Sequence, residues 1–350
     1  MSSLGFIRFW AFTHSLCPKA LAPFCVFGGR SVYRGIRRWL RVRGGGGVKI
    51  VLVNFTSGGV SGSGRHVALL RRGLDRRGVE VDVLDSRNTF HLDFPMLRAV
   101  SFTLGSTVKR FDSDVIHLHN PKLSGIVLKN PSKSVVTVHG GMIEFSLKYG
   151  ALGRLSTALM LRTLRAARAV TAVMKSEAER NGWVWIPNMT DVEAVEEIEP
   201  AGESCILFVG RNDPVKNFPL FRGVVKRLGR KYRAFGVEEV VSWEKVISYM
   251  KSAECLMITS IWEGMPSVLL EAWASGCPVI ASKIPAFQPF KDALILSDLT
   301  IDSYIKAYQK LADVREEVVR NGRALVEKFD YKLVTERYIE LYRWVLSTQS

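Results

Sequence analysis

The sequence predicts an α/β protein of two Rossmann-like, doubly wound domains that face a central cleft. Its 350 residues exceed what one hydrophobic core usually holds. Short apolar runs rich in β-branched residues alternate with segments of helical spacing, and this alternation stops once and then restarts. Ligands of such folds bind at the carboxyl ends of the strands, so we expect a site in the cleft.

The first block of alternating segments begins after a basic N-terminal stretch. The sequence predicts a strand at 48–55, a Gly/Ser-rich loop at 56–64, a helix at 65–78 and a strand at 79–86. These four segments form one βαβ unit. Further buried strands are predicted at 114–120, 134–141, 169–176 and 183–188.

The second block follows a cluster of charged, Gly and Pro residues at 188–204, which predicts an interdomain linker. Its segments are a strand and loop at 205–217, a helix at 217–229, a strand at 232–237, a helix at 242–254, strands at 255–260 and 278–283, and helical residues at 301–346. We therefore place an N-terminal domain at 48–190, a C-terminal domain at 191–330 and a final helix at 331–350.

The N-terminal stretch 1–47 carries half of the formal net charge of +16, with eight basic residues and no Asp or Glu. It predicts a translation start placed too early, a transit peptide or a basic membrane-surface anchor. The rest of the chain carries 41 basic and 33 acidic residues and no RNA-binding motif, so we expect no nucleic-acid partner.

Cysteine spacing and hydropathy indicate the compartment. The five cysteines form no C-x-x-C pair, which favours inert buried thiols in a reducing environment. No run of 18 apolar residues occurs, so we expect no membrane-spanning helix. The prediction is a cytoplasmic protein, with a peripheral membrane location as its variant.

Two carboxylates frame the apolar run at 260–282. CLMITS predicts a strand, Glu263 follows in the loop, Pro266 opens a helix, and Glu271 lies in its second turn. Both side chains can face the crevice, where a carboxylate accepts hydrogen bonds from a sugar diol. The alternative is that Glu271 belongs to the polar face of an amphipathic helix.

The order E-G-x-P-x4-E, followed by A-x-A-S-G-x-P-V-I, resembles the nucleotide-sugar signature of retaining GT-B glycosyltransferases of family 4. The resemblance extends over 48–346 and implies an acceptor-side N-terminal domain, a donor domain and a last helix that packs back on the first domain. It implies that Glu271 binds the donor ribose and that Glu263 holds the transferred sugar. The sugar pocket is then lined by Gly264, Met265, Pro266 and Ser267.

VGRNDPVKN resembles the family's phosphate motif, which makes Arg211 and Lys216 the cations for the donor diphosphate. Asn217 departs from the family's Gly after the lysine. The loop with Gly58, Gly59 and Gly62 resembles the family's first loop, where small residues let backbone N–H groups approach a phosphate or sugar. A dinucleotide site remains the alternative for this loop, since Asp85 ends the next strand.

Two strands end in histidines. VVTVHGG resembles the family strand whose histidine lies near the reacting sugar, a role that passes to His139. DVIHLHN carries His117 and His119, which are as readily structural as functional, and His119 is the better acceptor-side candidate.

The resemblance implies a metal-independent, retaining transfer of a hexosyl-like sugar, with a UDP- or GDP-sugar as co-substrate and no cofactor. The acceptor is unidentified among lipids, polysaccharides and small molecules. The donor domain is about one βα unit shorter than in the family between 229 and 255, which puts its base preference and its activity in doubt. The alternatives are an epimerase or hydrolase of the same fold, and a non-catalytic protein that binds membrane surfaces.

The segment 152–169 motivates the membrane alternative. Its arginines Arg154, Arg162, Arg165 and Arg168 fall on one helical side, while Leu152, Leu155 and Leu159 lie on another. Anionic lipid headgroups attract such a basic face. The plainer interpretation is a solvated helix face.

Overall fold

The computed structural model describes residues 47–58, 61–94, 97–140 and 142–348. Almost all of the predicted N-terminal extension, with Cys17 and Cys25, therefore lies outside the described residues. Cys205, Cys255 and Cys277 are free and buried, as predicted. Burial raises the pKa of the Cys205 thiol to about 11, which keeps this thiol protonated.

The first sheet has six parallel strands in the order β2-β1-β3-β4-β5-β6. They are β1 Lys49–Val53, β2 Glu80–Leu84, β3 Val115–Leu118, β4 Ser134–Val138, β5 Ala169–Ala172 and β6 Val184–Trp185. The helices of this part of the chain are α1 Gly62–Asp75, α2 Arg98–Val108, α3 Ser124–Lys129, α4 Ile143–Leu164 and α5 Lys175–Asn181. Gly150 interrupts α4 with a left-handed φ of 55°.

The second sheet has five parallel strands in the order β11-β10-β9-β7-β8. They are β7 Ile206–Val209, β8 Tyr232–Phe235, β9 Cys255–Ile258, β10 Val279–Ser282 and β11 Ile295–Ser297. The accompanying helices are α6 Val192–Glu196, α7 Phe218–Leu228, α8 Trp243–Ser252, α9 Ser267–Ala274, α10 Ile301–Val326 and α11 Tyr331–Ser347. The predicted α/β class with two parallel sheets is confirmed.

Two elements differ from the prediction. The linker 188–204 contains the short helix α6, which Asp191 caps by accepting a hydrogen bond from the Ala194 N–H. β11 was not predicted because three residues are too few to show a period. No helix among the described residues is long and apolar enough to cross a membrane.

Side-chain alternation gives the first sheet two different faces. Ile116 and Leu118 of β3 join a buried cluster with Phe102 of α2 and Met160 of α4. His117 points the other way, and its Nδ1 lies 2.6 Å from the hydroxyl of Tyr342 in α11. The last helix therefore covers the face of the N-terminal sheet opposite to α2–α4, beside α1.

Candidate functional site

A cleft of about 780 Å³ lies where the carboxyl ends of the two sheets meet. Most of the predicted site residues line it: Gly62, His119, His139, Arg211, Lys216, Glu263, Gly264, Met265, Pro266, Ser267 and Glu271. Gly58 is not among the lining residues. It holds the loop instead, with a φ of 101° and its N–H donating to the Gly64 carbonyl. Gly59 lies outside the described residues.

The two helices that follow the glycine loop and the glutamate loop begin opposite each other. Ser61 caps α1 by accepting a hydrogen bond from the Gly64 N–H at 3.0 Å. A Cβ atom on Gly62 would lie 3.5 Å from Oγ of Ser267, the first residue of α9. Both N-termini carry partial positive charge, so the space between them favours an anion.

Glu263 is held by two partners. Its Oε1 lies 2.6 Å from Nζ of Lys216 and 2.6 Å from the hydroxyl of Ser260 at the end of β9. The Glu263–Lys216 pair places a carboxylate, which can bind sugar hydroxyls, beside a cation, which can bind the diphosphate of the same ligand. The Arg211 side chain is 70% exposed, and its guanidinium lies 4.0 Å from the Asp213 carboxylate.

Asn217, the departure from the family pattern, adopts a left-handed conformation with φ 51° and ψ 48°. It is the one described non-Gly residue with positive φ. Asn tolerates this region better than most residues, because its side chain is short and polar. The turn between Lys216 and α7 is therefore kept without glycine, and the Lys216 carbonyl accepts a hydrogen bond from Thr259.

Glu271 faces the cleft from α9 with partners that the sequence did not predict. Its Oε1 lies 2.9 Å from Nε of Arg65 in α1 and accepts a hydrogen bond from the Trp243 indole N–H at 3.0 Å. The Arg65 guanidinium also stacks on Trp243, 3.7 Å from the ring centroid. Burial raises the pKa of Glu271, while Arg65 and Trp243 oppose that rise. Glu271 is thus not part of a solvated helix face, because only 6% of its side chain is exposed.

Four histidines cluster at the carboxyl edge of the first sheet. His117, His119 and His139 share one face because their positions on β3 and β4 have the same parity, and His66 meets them from α1. The His119 Nδ1 lies 3.2 Å from the His139 Nε2. Burial lowers the pKa of His66 to about 4 and holds the pKa of the other three well below the usual value. All four are therefore neutral at neutral pH.

His66 also connects three segments. Its Nδ1 lies 2.8 Å from Asn188 Oδ1, and its Nε2 lies 3.1 Å from the Tyr338 hydroxyl of α11. The Asn188 amide in turn donates to the Met265 carbonyl at 2.6 Å. This chain of hydrogen bonds fixes the glutamate loop against the histidines.

The two domains touch most closely at Gly264. A Cβ atom there would lie 2.0 Å from the His139 carbonyl oxygen. Nearby, the Trp262 indole N–H donates to the Gly140 carbonyl at 2.8 Å. A side chain at 264 would collide with the His139 carbonyl, so this close approach of the two backbones requires glycine.

The described residues contain one cluster that could hold a metal ion, formed by His66, His119 and His139 with ligand atoms within 4.8 Å of one another. Both ring nitrogens of His66 already have protein partners. His119 Nε2 and His139 Nδ1 are buried and have no hydrogen-bond partner among the described residues. Asp112 and Asp114 form an Asp-x-Asp sequence of a kind that binds metal ions in other glycosyltransferase folds. This pair does not line the cleft, and Asp114 accepts a hydrogen bond from the Lys49 N–H at the start of β1.

Comparisons with known proteins agree with this arrangement. Residues 60–182 match the family model described as Glycosyltransferase Family 4, and residues 237–290 match Glycosyl transferases group 1. The chain is a GT-B glycosyltransferase that resembles family 4. The first match begins within the glycine loop and covers Gly62 and the histidine strands, and the second covers Trp243 and both glutamates. No curated protein matches the sequence significantly.

Solved structures share the fold of this glycosyltransferase at low sequence identity. Sucrose-phosphate synthase from Thermosynechococcus elongatus has a TM-score of 0.69 at 16% identity, over 86% of this chain and 100% of that one. The catalytic domain of starch synthase IV from Arabidopsis thaliana, bound to ADP and acarbose, has 0.61 at 12% identity, over 86% and 99%. An Anabaena protein in complex with UDP and glucose has 0.59 at 13% identity, over 84% and 99%.

The dinucleotide alternative for the first loop is not favoured by the geometry. Asp85, its ribose-binding candidate, is buried and bound by Ser57 Oγ at 2.5 Å and by the guanidinium of Arg87. Burial acts to raise the pKa of Asp85, but the hydrogen bonds from Arg87 and Ser57 outweigh it, and the pKa lies below the usual value. The Asp85 carboxylate therefore already has hydrogen-bond partners in Ser57 and Arg87 and does not need a ribose to satisfy it.

Proposed function

We propose that this glycosyltransferase moves a hexosyl-like sugar from a UDP- or GDP-sugar to an unidentified acceptor, with retention of configuration and without a metal ion. The observation that carries the proposal is the convergence of Glu271, the Glu263–Lys216 pair and His139 on one cleft. The structures of the fold that hold UDP, glucose or ADP support a nucleotide-sugar donor.

The donor spans the cleft in a defined direction in this proposal. Glu271 accepts hydrogen bonds from the ribose hydroxyls, and Arg65 and Trp243 orient its carboxylate. The diphosphate lies between the N-termini of α1 and α9, where Lys216 and Arg211 add positive charge. Fixed cations of this kind replace the divalent ion that other transferases use to neutralise the leaving group.

Glu263 binds hydroxyls of the transferred sugar next to Lys216, and neutral His139 hydrogen-bonds the same sugar from the opposite domain. The acceptor hydroxyl attacks the anomeric carbon on the face from which the diphosphate leaves, and a leaving phosphate oxygen takes its proton. The bond from the anomeric carbon to the phosphate oxygen breaks as the new glycosidic bond forms. No enzyme nucleophile is needed, and a closed cleft excludes competing water.

The acceptor enters on the N-terminal side, where His119 lines the cleft. An epimerase or hydrolase of the same fold would use the same donor site. The requirement for an acceptor distinguishes the transferase from these two alternatives. A hydrolase or epimerase releases nucleotide when no acceptor is present, whereas the transferase releases nucleotide only when an acceptor is present.

The first test is calorimetric titration of the full chain with UDP, GDP, ADP and NAD in the presence of a chelator. Saturable binding of one nucleoside diphosphate supports the donor site and names the base, after which the matching nucleotide sugars can be screened with acceptor panels. Binding that appears only after magnesium or manganese is added would refute metal independence. No binding to any of them would refute the donor site and place the chain among non-catalytic relatives.

A further inference from the structure

Exposed apolar side chains gather on one part of the molecule. Among the described residues, eleven of the fifteen exposed large hydrophobic side chains lie between 90 and 159. They are Phe90, Leu92, Phe94, Leu97, Val100, Leu104, Val108, Leu128, Leu152, Leu155 and Leu159. Val108 is 73% exposed and Leu152 is 77% exposed. Scattered apolar residues are ordinary on protein surfaces, but a contiguous set marks an interaction site.

These residues lie on one layer of helices. α2, α3 and α4 pack side by side on the same face of the first sheet. Two glycines bring the pieces together: a Cβ on Gly105 would lie 2.7 Å from the Phe90 carbonyl oxygen, and one on Gly125 would lie 2.8 Å from Thr107 Oγ1. The loop after β2, α2 and α3 therefore form one close-packed outer surface.

Spacing along α2 shows that its apolar side chains point outward. Leu97, Val100, Leu104 and Val108 recur every three or four residues and are all exposed. Phe102, on the opposite side of the helix, is buried against the sheet. A helix that presents apolar residues on both faces needs a second apolar environment besides the core.

α4 combines apolar and basic residues on its outer side. Leu155 and Leu159 are exposed, and so are Arg154, Arg162 and Arg165, while Met160 is buried. At 100° per residue, the leucine arc lies directly beside the arginine arc. The leucines and arginines, which the sequence predicted on two sides of the helix, therefore both face solvent and lie next to each other.

The net charge of residues 48–350 is concentrated in the part of the sequence that contains α2, α3 and α4. Residues 97–168 contain eleven Lys or Arg and three Asp or Glu. The remainder of 48–350 contains thirty basic and thirty acidic residues, so its net charge is zero. Of these basic residues, Lys129, Arg154 and Arg162 are exposed on α3 and α4, and Arg165 is exposed directly after α4. The surface with the exposed apolar residues therefore also attracts anions.

We propose that the α2–α4 layer docks this protein peripherally on an anionic lipid bilayer, with the apolar side chains at the headgroup–acyl boundary and the arginines and lysines on the lipid phosphates. Lipid offers both environments at once, since it takes up apolar side chains and attracts cations. A nucleic acid offers phosphates but no matching apolar layer. The proposal does not depend on the sugar-transfer assignment.

Flotation with vesicles tests the proposal on the full chain. Vesicles of phosphatidylcholine, with or without phosphatidylglycerol, are mixed with protein at low and at high salt. We expect binding to the phosphatidylglycerol vesicles that weakens with salt. No binding to them at low salt would overturn the proposal.

Paired variants distinguish membrane binding by the α2–α4 layer from membrane binding by the basic N-terminal stretch. Leu155→Ser/Leu159→Ser is compared with Leu299→Ser/Leu333→Ser, whose leucines are exposed elsewhere. We expect a loss of at least about tenfold in partitioning for the first pair and none for the second.

The charge variants follow the same design. Arg154→Gln/Arg162→Gln/Arg165→Gln is compared with Arg222→Gln/Lys226→Gln/Lys306→Gln, which removes three exposed charges from the other domain. We expect a loss of about tenfold or more from the first triple alone. If folded variants of the layer float as the wild type does, the N-terminal stretch binds the vesicles and the proposal is wrong.

Discussion

Replacing Glu271 by glutamine tests the centre of the donor site. The carboxylate Oε1 accepts a hydrogen bond from the Trp243 Nε1 at 3.0 Å and forms an ion pair with Arg65, whose Nε lies 2.9 Å away. In the Glu271→Gln variant the amide oxygen must take that position, because an NH2 group cannot accept the Trp243 hydrogen bond and would point its own N–H groups at the Arg65 guanidinium. The amide NH2 then faces the ribose, and at least one charge-assisted hydrogen bond to the ligand is lost.

The magnitude follows from that single bond. A hydrogen bond to a charged group contributes about 1.5–3 kcal/mol, which corresponds to about a 10- to 150-fold weaker dissociation constant. Glutamine is preferred to alanine here. Both changes remove the charge that faces the buried Arg65 guanidinium, at a cost of about 3–5 kcal/mol in stability, but only alanine also removes the acceptor of the Trp243 indole N–H.

Calorimetric titration with the nucleoside diphosphate that the wild type binds measures this change, and thermal unfolding verifies that the variant is folded. Glu316→Gln, on the exposed side of α10, is the matched control and should bind as the wild type does. If folded Glu271→Gln binds within about twofold of wild type, Glu271 serves only to hold Arg65 and the donor site has been misplaced.

Three further predictions concern the groups around the site. Arg65→Met removes the charge that opposes the effect of burial on Glu271, so the pKa of Glu271 rises further and nucleotide affinity should fall more steeply with decreasing pH in the variant than in the wild type; an equal pH dependence of affinity in the two proteins would contradict the positioning role. Gly264→Ala forces a shift at the His139 carbonyl, and we expect about 1–3 kcal/mol lower stability by denaturant titration together with weaker donor binding; an unchanged dissociation constant would show that the base of the cleft adapts. The buried neutral His66 has a lowered pKa, so it contributes stability above 6.5 that is lost as the pH falls toward about 4. The free energy of unfolding should fall there by up to about 1.4 kcal/mol per pH unit for this residue, and a flat profile in urea titrations would refute its neutrality.

The assignments that came from sequence rest on local patterns. Alternating apolar segments predicted both sheets, because the period of a strand or helix is a property of neighbouring residues. The loop and helix around Glu263 and Glu271 were predictable for the same reason, since the strand, the proline and the two carboxylates lie within 20 residues. β11 was missed because it has only three residues.

The partners of those residues were decided by the tertiary structure. Nothing near Glu271 in the sequence indicates Arg65, which belongs to the other domain, or Trp243, which lies on a separate helix. His66 meets Asn188 and Tyr338 across 122 and 272 positions of the chain. The order of the strands and the return of α11 bring these elements to one edge, and periodicity carries no information about either.

For the α2–α4 surface too, the sequence determined some features and the tertiary structure determined others. The sequence by itself located the charge, because counting residues needs no coordinates, and it placed leucines and arginines on two sides of one helix. Only the packing of α2, α3 and α4 on one face of the sheet decided that both sets point to solvent beside other apolar residues. A helix face is buried or exposed according to what covers it, and that depends on contacts between distant parts of the chain.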